Sequence, residues 1–487
     1  MNILSGAKNK THAVTRSIHG INVRSTTNFL LWYLALIALV LFTRIASAQV
    51  STASIQGTVQ DSTGAAVSGA SITAIQVETQ VSRTTTSGSD GLYTIPLLPL
   101  GNYTVRVSAT GFEPFEQTGI TLTVGQEARV PVTLGVGNVR QTVTVNANAA
   151  MVNTTASETQ QLVDQRQVEG LPLDGRNPAA LVFLVGGVSN PILNMAPSNT
   201  GSAILQNSLV YPTEIAANVH GVRAGGVYFS LDGANNIDSY EVTGGPFPNP
   251  DAVEEFNVVS GNFGARYVSA PGGAVNIVTK SGTNAIHGNV FEFIRNGAVN
   301  ARNYFAAKPD GLKRNQFGAT AGAPIMRDKW FVFGAYQGTR LSDVLGGLVS
   351  FVPTAQQRTG DLSSITKPII NPATGQPFPN NQISPLNSVT QGLLAYIPLP
   401  QNASGSISYA QPEQQQENQY VIKSDFVYKN QRIFGRYFYD NFNWPGTGIP
   451  GGNILAAFRG QQHQWYNATG GHTWTHGNLI SDARFSF

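Results

Sequence analysis

Tyr420–Lys429, YVIKSDFVYK, is the stretch that decides the fold class. Tyr420, Ile422, Ser424, Phe426 and Tyr428 fall on one face of an extended strand. Val421, Lys423, Asp425, Val427 and Lys429 fall on the other. Strict alternation over ten residues suits a β-strand with lipid on one side and a polar interior on the other. Lys429-Asn430-Gln431 then makes a short polar turn, of the kind found on the periplasmic side of a membrane barrel.

Working outward, six more segments have strand character, near 286–295, 314–323, 329–341, 431–443, 463–475 and 478–487, and the quoted strand itself lies within 417–430. Residues 342–416 are rich in Pro, Asn and Gln and are expected to form a long extracellular loop. Trp330, Tyr336, Tyr437, Tyr439, Trp465 and Trp474 are candidates for the aromatic girdles that mark the membrane interfaces. A water-soluble β-domain is the competing reading of the same alternation.

The first 48 residues differ from the rest. Lys8, Lys10, Arg16, Arg24 and Arg44 stand among them with no acidic residue. Phe29–Phe42, FLLWYLALIALVLF, is apolar throughout, and Ala46-Ser47-Ala48 follows. A basic lead, a short apolar run and a small-residue site are the parts of a secretory signal peptide. The run has 14 residues, short of the roughly 20 that a spanning helix needs. Cleavage after Ala48 would take five of the chain's 30 basic residues and leave 25 against 27 acidic ones, a net charge of −2. The overall excess of basic residues therefore belongs to the export signal and gives no reason to expect nucleic-acid binding. The chain has no cysteine. Thiolate metal sites and cysteine nucleophiles are excluded, and cores or sheet pairing must hold the exported protein together.

Residues 52 to about 135 read as short strands with glycine turns, the pattern of a small β-sandwich. GTVQDSTGAAVSGASITA at 57–74, SDGLYTIPLLPLGNYTVRVSATGFE at 89–113 and VPVTLGVG at 130–137 resemble the carboxypeptidase regulatory-like domain. That resemblance implies a transthyretin-like sandwich, of the carbohydrate-binding-like class. Sugar binding does not follow from the class, because Tyr93, Tyr103, Phe112 and Phe115 serve equally as core residues.

Residues 138–149, NVRQTVTVNANA, contain the strand-like run Gln141-Thr142-Val143-Thr144-Val145. This run resembles a TonB box, which lends its backbone as an extra strand to a TonB-type periplasmic energy-coupling protein. Alternating Thr and Val also reads as a last sandwich strand followed by a linker. Beyond it, Glu158–Val168 is expected to be a short helix, Val253–Val259 a strand, and Gly272-Gly273 a bend before Ala274–Thr279. Those glycines suit either a tight bend inside a barrel wall or an ordinary turn.

The strongest resemblance lies here. LPLDGRNPAALVFLVGGV at 171–188, VYFSLDGANNID at 227–238, EEFNVVSGNFGARYVSAPGGAVNIVTKSGTNAIHGNVFEFIRNGAVNARNYF at 254–305 and RNQFGATAGAPI at 314–325 look like the plug and first barrel strands of Oar-like TonB-dependent receptors. The expected organisation is a mainly β protein in five parts: a signal peptide at 1–48, a carboxypeptidase regulatory-like β-sandwich at 49–137, a linker with the TonB-box-like run at 138–149, an α+β plug at 150–285, and an incomplete antiparallel transmembrane β-barrel at 286–487. Plugged barrels use about 22 strands to enclose a folded plug. Seven cannot, so the resemblance implies that the chain is a fragment of a longer protein.

The implied function is an outer-membrane receptor or transporter for an unidentified substrate, with a TonB-type protein, outer-membrane lipid and a carbohydrate or protein ligand as partners. An outer-membrane adhesion or surface polysaccharide-binding protein is the alternative. No nucleotide loop, dinucleotide fingerprint, H-E-x-x-H or G-x-S-x-G is present. No enzyme, cofactor or catalytic residue is expected. His463, His472 and His476 lack a neighbouring acidic cluster and are not expected to bind metal. Asp90 and Asp232 each precede a glycine and read as turn formers.

Overall fold

The computed structural model describes residues 51–137, 143–146, 158–173, 175–190, 215–239, 243–262, 271–302, 311–477 and 479–487. The export signal expected at 1–48 lies outside the described residues, as do Gln141 and Thr142. The described chain is mainly β, with only short helices.

The first group of strands is β1 (Ala53–Asp61), β2 (Ser71–Gln76), β3 (Ser82–Thr86), β4 (Leu92–Leu98), β5 (Gly101–Ser108), β6 (Phe115–Leu122), β7 (Glu127–Arg129), β8 (Val132–Leu134) and β9 (Val143–Asn146). They form two sheets, β4-β1-β7 with β8 also on β1, and β3-β2-β5-β6-β9. Ile55 and Val59 point inward from β1 because residues two apart share a face, and they meet Ile72, Ile95, Val105, Val107 and Ile120 in one core. Tyr93 and Tyr103 belong to that core as well. Their hydroxyls donate to the carbonyl oxygens of Val130 at 2.6 Å and Pro99 at 2.9 Å, which satisfies the polar tips of buried rings. Phe115 is buried with them. None of the three is part of an exposed sugar platform. Strand β3, SRTTT, is an edge strand without apolar alternation and gives no signal in the sequence.

The central group is β10 (Thr159–Val163), α1 (Gln165–Gly170), β11 (Val188–Ser189), β12 (Asn218–Val219), β13 (Val227–Leu231), β14 (Ala234–Asn235), β15 (Ile237–Asp238), β16 (Thr243–Gly244), β17 (Val253–Gly261) and β18 (Gly273–Thr279). Five of them make a sheet in the order β10-β17-β18-β13-β14. Every residue of β13 and β18 is buried, as expected of strands covered on both faces. The helix expected over 158–168 is corrected. Thr159–Val163 pairs antiparallel with β17, and the helix begins only after Asp164. Asp164 and Gln167 close a reciprocal capping box, which fixes that start. This helix has six residues, and among the described residues of 150–285 the rest of the helical structure is short 3-10 turns, so the helical part of the expected α+β segment is small.

The last group is β19 (His287–Asn296), β20 (Lys313–Met326), β21 (Trp330–Phe351), β22 (Ser406–Tyr428), β23 (Gln431–Trp444), β24 (Gln461–His476) and β25 (Leu479–Ser486). Each pairs antiparallel with the next, and the two end strands do not meet, so the sheet is open. Turns of two or three residues join β20 to β21, β22 to β23 and β24 to β25, whereas the alternate connections are long. The loop expected over 342–416 is corrected to 352–405. Ser342–Leu345 and Leu348–Phe351 pair with residues 406–414, carrying the β21–β22 hairpin well past its neighbours. Backbone pairing does not need apolar side chains, so the polar composition of 406–416 concealed the strand. Within 352–405 lie the short helices α2 (Ala355–Arg358) and α3 (Ser388–Leu394).

Candidate functional site

The seven-stranded sheet mixes charged, polar and aromatic residues on its inner face and exposes apolar and aromatic ones on its outer face. On β22, Gln419, Val421, Lys423 and Asp425 are buried, while Tyr420 and Ile422 are exposed. On β23, Arg436, Phe438 and Asp440 are buried, while Ile433 and Tyr437 are exposed. The solvated face of a water-soluble sheet is polar instead. The inner residues are buried because the central sheet packs against them. Phe333, Ala335, Val421 and Phe438 of the wall join Phe229, Phe247, Phe256 and Val258 in a single core.

Charges fasten the two together. Asp232 occupies the tight turn between β13 and β14 with φ +52°, so the turn role read from its Asp-Gly pair holds. Its carboxylate, however, is 2 % exposed and faces the wall. Lys423 Nζ lies 3.1 Å from one oxygen, and Arg436 Nε lies 3.2 Å from the other. Thr279 donates from its backbone N–H at 3.0 Å and from its hydroxyl at 2.8 Å. The remaining Arg436 donors reach the Leu231 and Asn467 carbonyls, the Asn467 side chain and the Thr469 hydroxyl, all at 2.7–2.8 Å. Lys423 and Arg436 are register partners on adjacent strands, and that pairing aims both cations at one carboxylate. Burial pushes Asp232 upward, but the two cations and the Thr279 bonds outweigh it and hold the carboxyl below its ordinary value.

A second junction surrounds Arg176. Its guanidinium pairs with Asp251, donates to Gln337 of β21 at 3.1 Å, and lies over the rings of Phe291 and Phe293 of β19 at 4.4 and 4.0 Å. A third connects the first strand group to the central sheet. The Val124 N–H donates to the Glu255 carboxyl, and Asn257 Nδ2 donates to the Val124 carbonyl at 3.2 Å. Burial raises Glu255 to about 8, with the backbone bond opposing and neighbouring acids adding to the rise. Burial likewise raises Glu254. Beside this contact lies a cavity of about 850 Å³ that all three groups line, with Arg83, Tyr103, Lys429, Arg432 and Arg484 among its residues.

The outer face carries a row of aromatics. Tyr336, Tyr420, Tyr439 and Tyr466 stand in register on four adjacent strands, with ring centroids 5.0, 6.1 and 4.9 Å apart. Trp330 stands against Phe426 at 6.2 Å, and Trp474 stacks on His476. Trp465, expected in a girdle, is corrected to the inner face, where it packs on Gly245 and the central core. Its strand alternation places it with Asn467 and Thr469. His472 and His476 are on the outer face, while His463 stacks on Phe442 inside. Among the described residues no group of three His, Asp or Glu is placed to hold a metal.

Val143, Thr144 and Val145 lie on β9, which pairs parallel with β6. Gly273 begins β18 with φ +149°, and a Cβ there would stand 2.5 Å from the Val259 carbonyl oxygen. At Gly272 a Cβ would stand 3.0 Å from Val222 and 3.1 Å from the Gly226 carbonyl. These glycines allow close backbone approach within the central sheet. Asp232 as an ionic centre, Arg176, Glu255 and the inward role of Lys423 with Arg436 were not singled out from the sequence. For Lys423 and Arg436 the only signal there is a charge on one face of an alternating strand, while Asp232 and Arg176 lie outside the strands.

Residues 278–487 match an outer membrane beta barrel domain, and residues 54–135 match a carboxypeptidase regulatory-like domain. The TonB-dependent transporter Oar of Myxococcus xanthus is 27 % identical over 301 residues, which are 56 % of this chain and 26 % of that protein. Over those residues the chain is similar to Oar. A probable TonB-dependent siderophore receptor, PirA of Acinetobacter baumannii, is 32 % identical over 100 residues, 19 % of this chain and 12 % of that protein. A crystal structure of a mutant ferric enterobactin receptor, PfeA of Pseudomonas aeruginosa, aligns at 13 % identity with a TM-score of 0.38, covering 67 % of this chain and 40 % of the other. The Oar-like chain thus spans about a quarter of the transporter it matches. The match to an outer membrane beta barrel domain places it in the outer membrane of a Gram-negative cell.

Proposed function

We propose that this Oar-like chain is the exported N-terminal part of a TonB-dependent outer-membrane transporter. In this reading residues 1–48 are the export signal, 49–137 the regulatory-like sandwich, 138–149 the coupling segment, 150–285 the plug and 286–487 the first part of the barrel wall. A ligand is captured on the extracellular side, where the connection 352–405 lies. A TonB-type protein pairs with Gln141–Val145 and draws on the plug.

The observation that carries the reading is Asp232, buried between a folded central sheet and two cations on the inner face of the seven-stranded wall. A plug must be held firmly enough to close the barrel and by contacts that a pull can break. The shared apolar core suits the first need, and the ion pairs at Asp232 and Arg176 suit the second, because removing one partner strands the others. The test is titration of a peptide spanning 138–149 into the C-terminal domain of a TonB-type protein. Saturable binding supports coupling. No binding, together with uptake by cells that survives deletion of 138–149, would contradict it.

A further inference from the structure

We infer that the regulatory-like domain presents residues 143–146 to the TonB-type partner as a ready-made edge strand. The inference rests on the coupling reading of 138–149 and adds to it where that strand is held. β9 pairs in parallel with β6, with Phe115 opposite Val143, Glu116 opposite Thr144, Gln117 opposite Val145 and Thr118 opposite Asn146. It is the last strand of its sheet, and among the described residues nothing pairs with its outer edge. In a parallel ladder, alternate residues turn their N–H and C=O groups toward opposite neighbours. Pairing with β6 therefore uses only one edge of β9. Among the described residues no strand pairs with the other edge, and an edge of this kind is a template for a further strand.

A free peptide must be ordered when it binds, and that cost lowers its affinity. A strand already extended in a sheet has met much of the cost beforehand. The partner would add beyond β9 and continue the order β3-β2-β5-β6-β9. The domain before the coupling segment thereby acquires a role: it shapes that segment.

A cross-link tests this directly, since the chain contains no cysteine. Glu116→Cys with Thr144→Cys joins two register partners, whose separation in a sheet lies within reach of a disulfide. The bond would sit on a face of the sheet and leave the outer backbone edge open. The double variant of the full chain, in detergent, is titrated with the TonB C-terminal domain when oxidised and again after dithiothreitol. The 138–149 peptide is titrated in parallel. The expected result is that the oxidised chain binds at least as tightly as the reduced chain and at least ten-fold more tightly than the peptide. If the peptide binds but oxidation weakens the chain ten-fold or more, the strand must leave the sheet to bind. Presentation is then wrong while coupling stands. Failure of the disulfide to form would also overturn presentation. If neither peptide nor chain binds, the coupling reading itself fails.

Discussion

Asp232 and Arg436 are 204 positions apart in the chain and meet at 3.2 Å, both of them buried. Lys423 shares the same carboxylate. Asp232→Ala would leave two buried cations without their counter-charge, which costs about 3–5 kcal/mol. Replacing all three together, as Asp232→Leu, Lys423→Met and Arg436→Met, is expected to cost less than the single change, since no charge is then stranded. Denaturant titration of the protein in detergent measures both. Additive losses would show that the three residues do not act as a unit.

Glu255 makes the attachment of the regulatory-like domain sensitive to pH. Its carboxyl has an ordinary value of 4.5 and a folded one of about 8. Between those values the folded state keeps a proton that the unfolded chain releases. The stability it contributes is therefore complete below the ordinary value and falls as pH rises toward 8, by at most about 1.4 kcal/mol per pH unit. Protection of the Val124 amide, its intrinsic exchange rate at each pH relative to the observed one, should fall over that range, since that amide donates to this carboxyl. Glu255→Gln keeps an acceptor and should remove the pH dependence. An unchanged slope in that variant would rule Glu255 out as its source.

The glycine pair separates close approach from ordinary turning. Gly273→Ala places a side chain at φ +149° and drives it into the Val259 carbonyl, so a loss of about 1–3 kcal/mol is expected. Gly272→Ala meets its neighbours at 3.0 Å and beyond and should cost less. Thermal melts of the two variants give the comparison. Equal, small shifts would mean that the bend before β18 has no special backbone demand.

How much of this was legible in the sequence follows from what each strand faces. β22 announced itself because its two faces meet different surroundings and so carry different residues over ten positions. β13 and β18 are buried on both faces and show as apolar runs without a period. β3 has little to bury, and its five polar residues gave no sign of a strand. Thr159–Val163 reads as part of a helix in the sequence because TQQLV has no period long enough to oppose it. The ionic centre stayed hidden for a different reason. Asp232, Lys423 and Arg436 are brought together only by register and packing, and Asp-Gly already had a sufficient local explanation as a turn.

Ile422 tests which side of the wall is lipid. It is exposed on the outer face, two residues from Tyr420 in the aromatic row. Ile422→Arg should destabilise the inserted protein by about 2–4 kcal/mol if the residue lies near the middle of the bilayer. Urea titration in vesicles measures the loss. A neutral change would mean that this face meets water.

The most direct test of the whole account uses tryptophan fluorescence in vesicles of lipids with brominated acyl chains. Trp330 and Trp474 lie on the outer face, whereas Trp444 and Trp465 pack inside. Variants keeping one of these four at a time, with the others changed to Phe, report each position separately. A membrane wall that covers a central plug predicts strong quenching of Trp330 and Trp474 and little of Trp444 and Trp465. Equal quenching of all four, or of none, would contradict it.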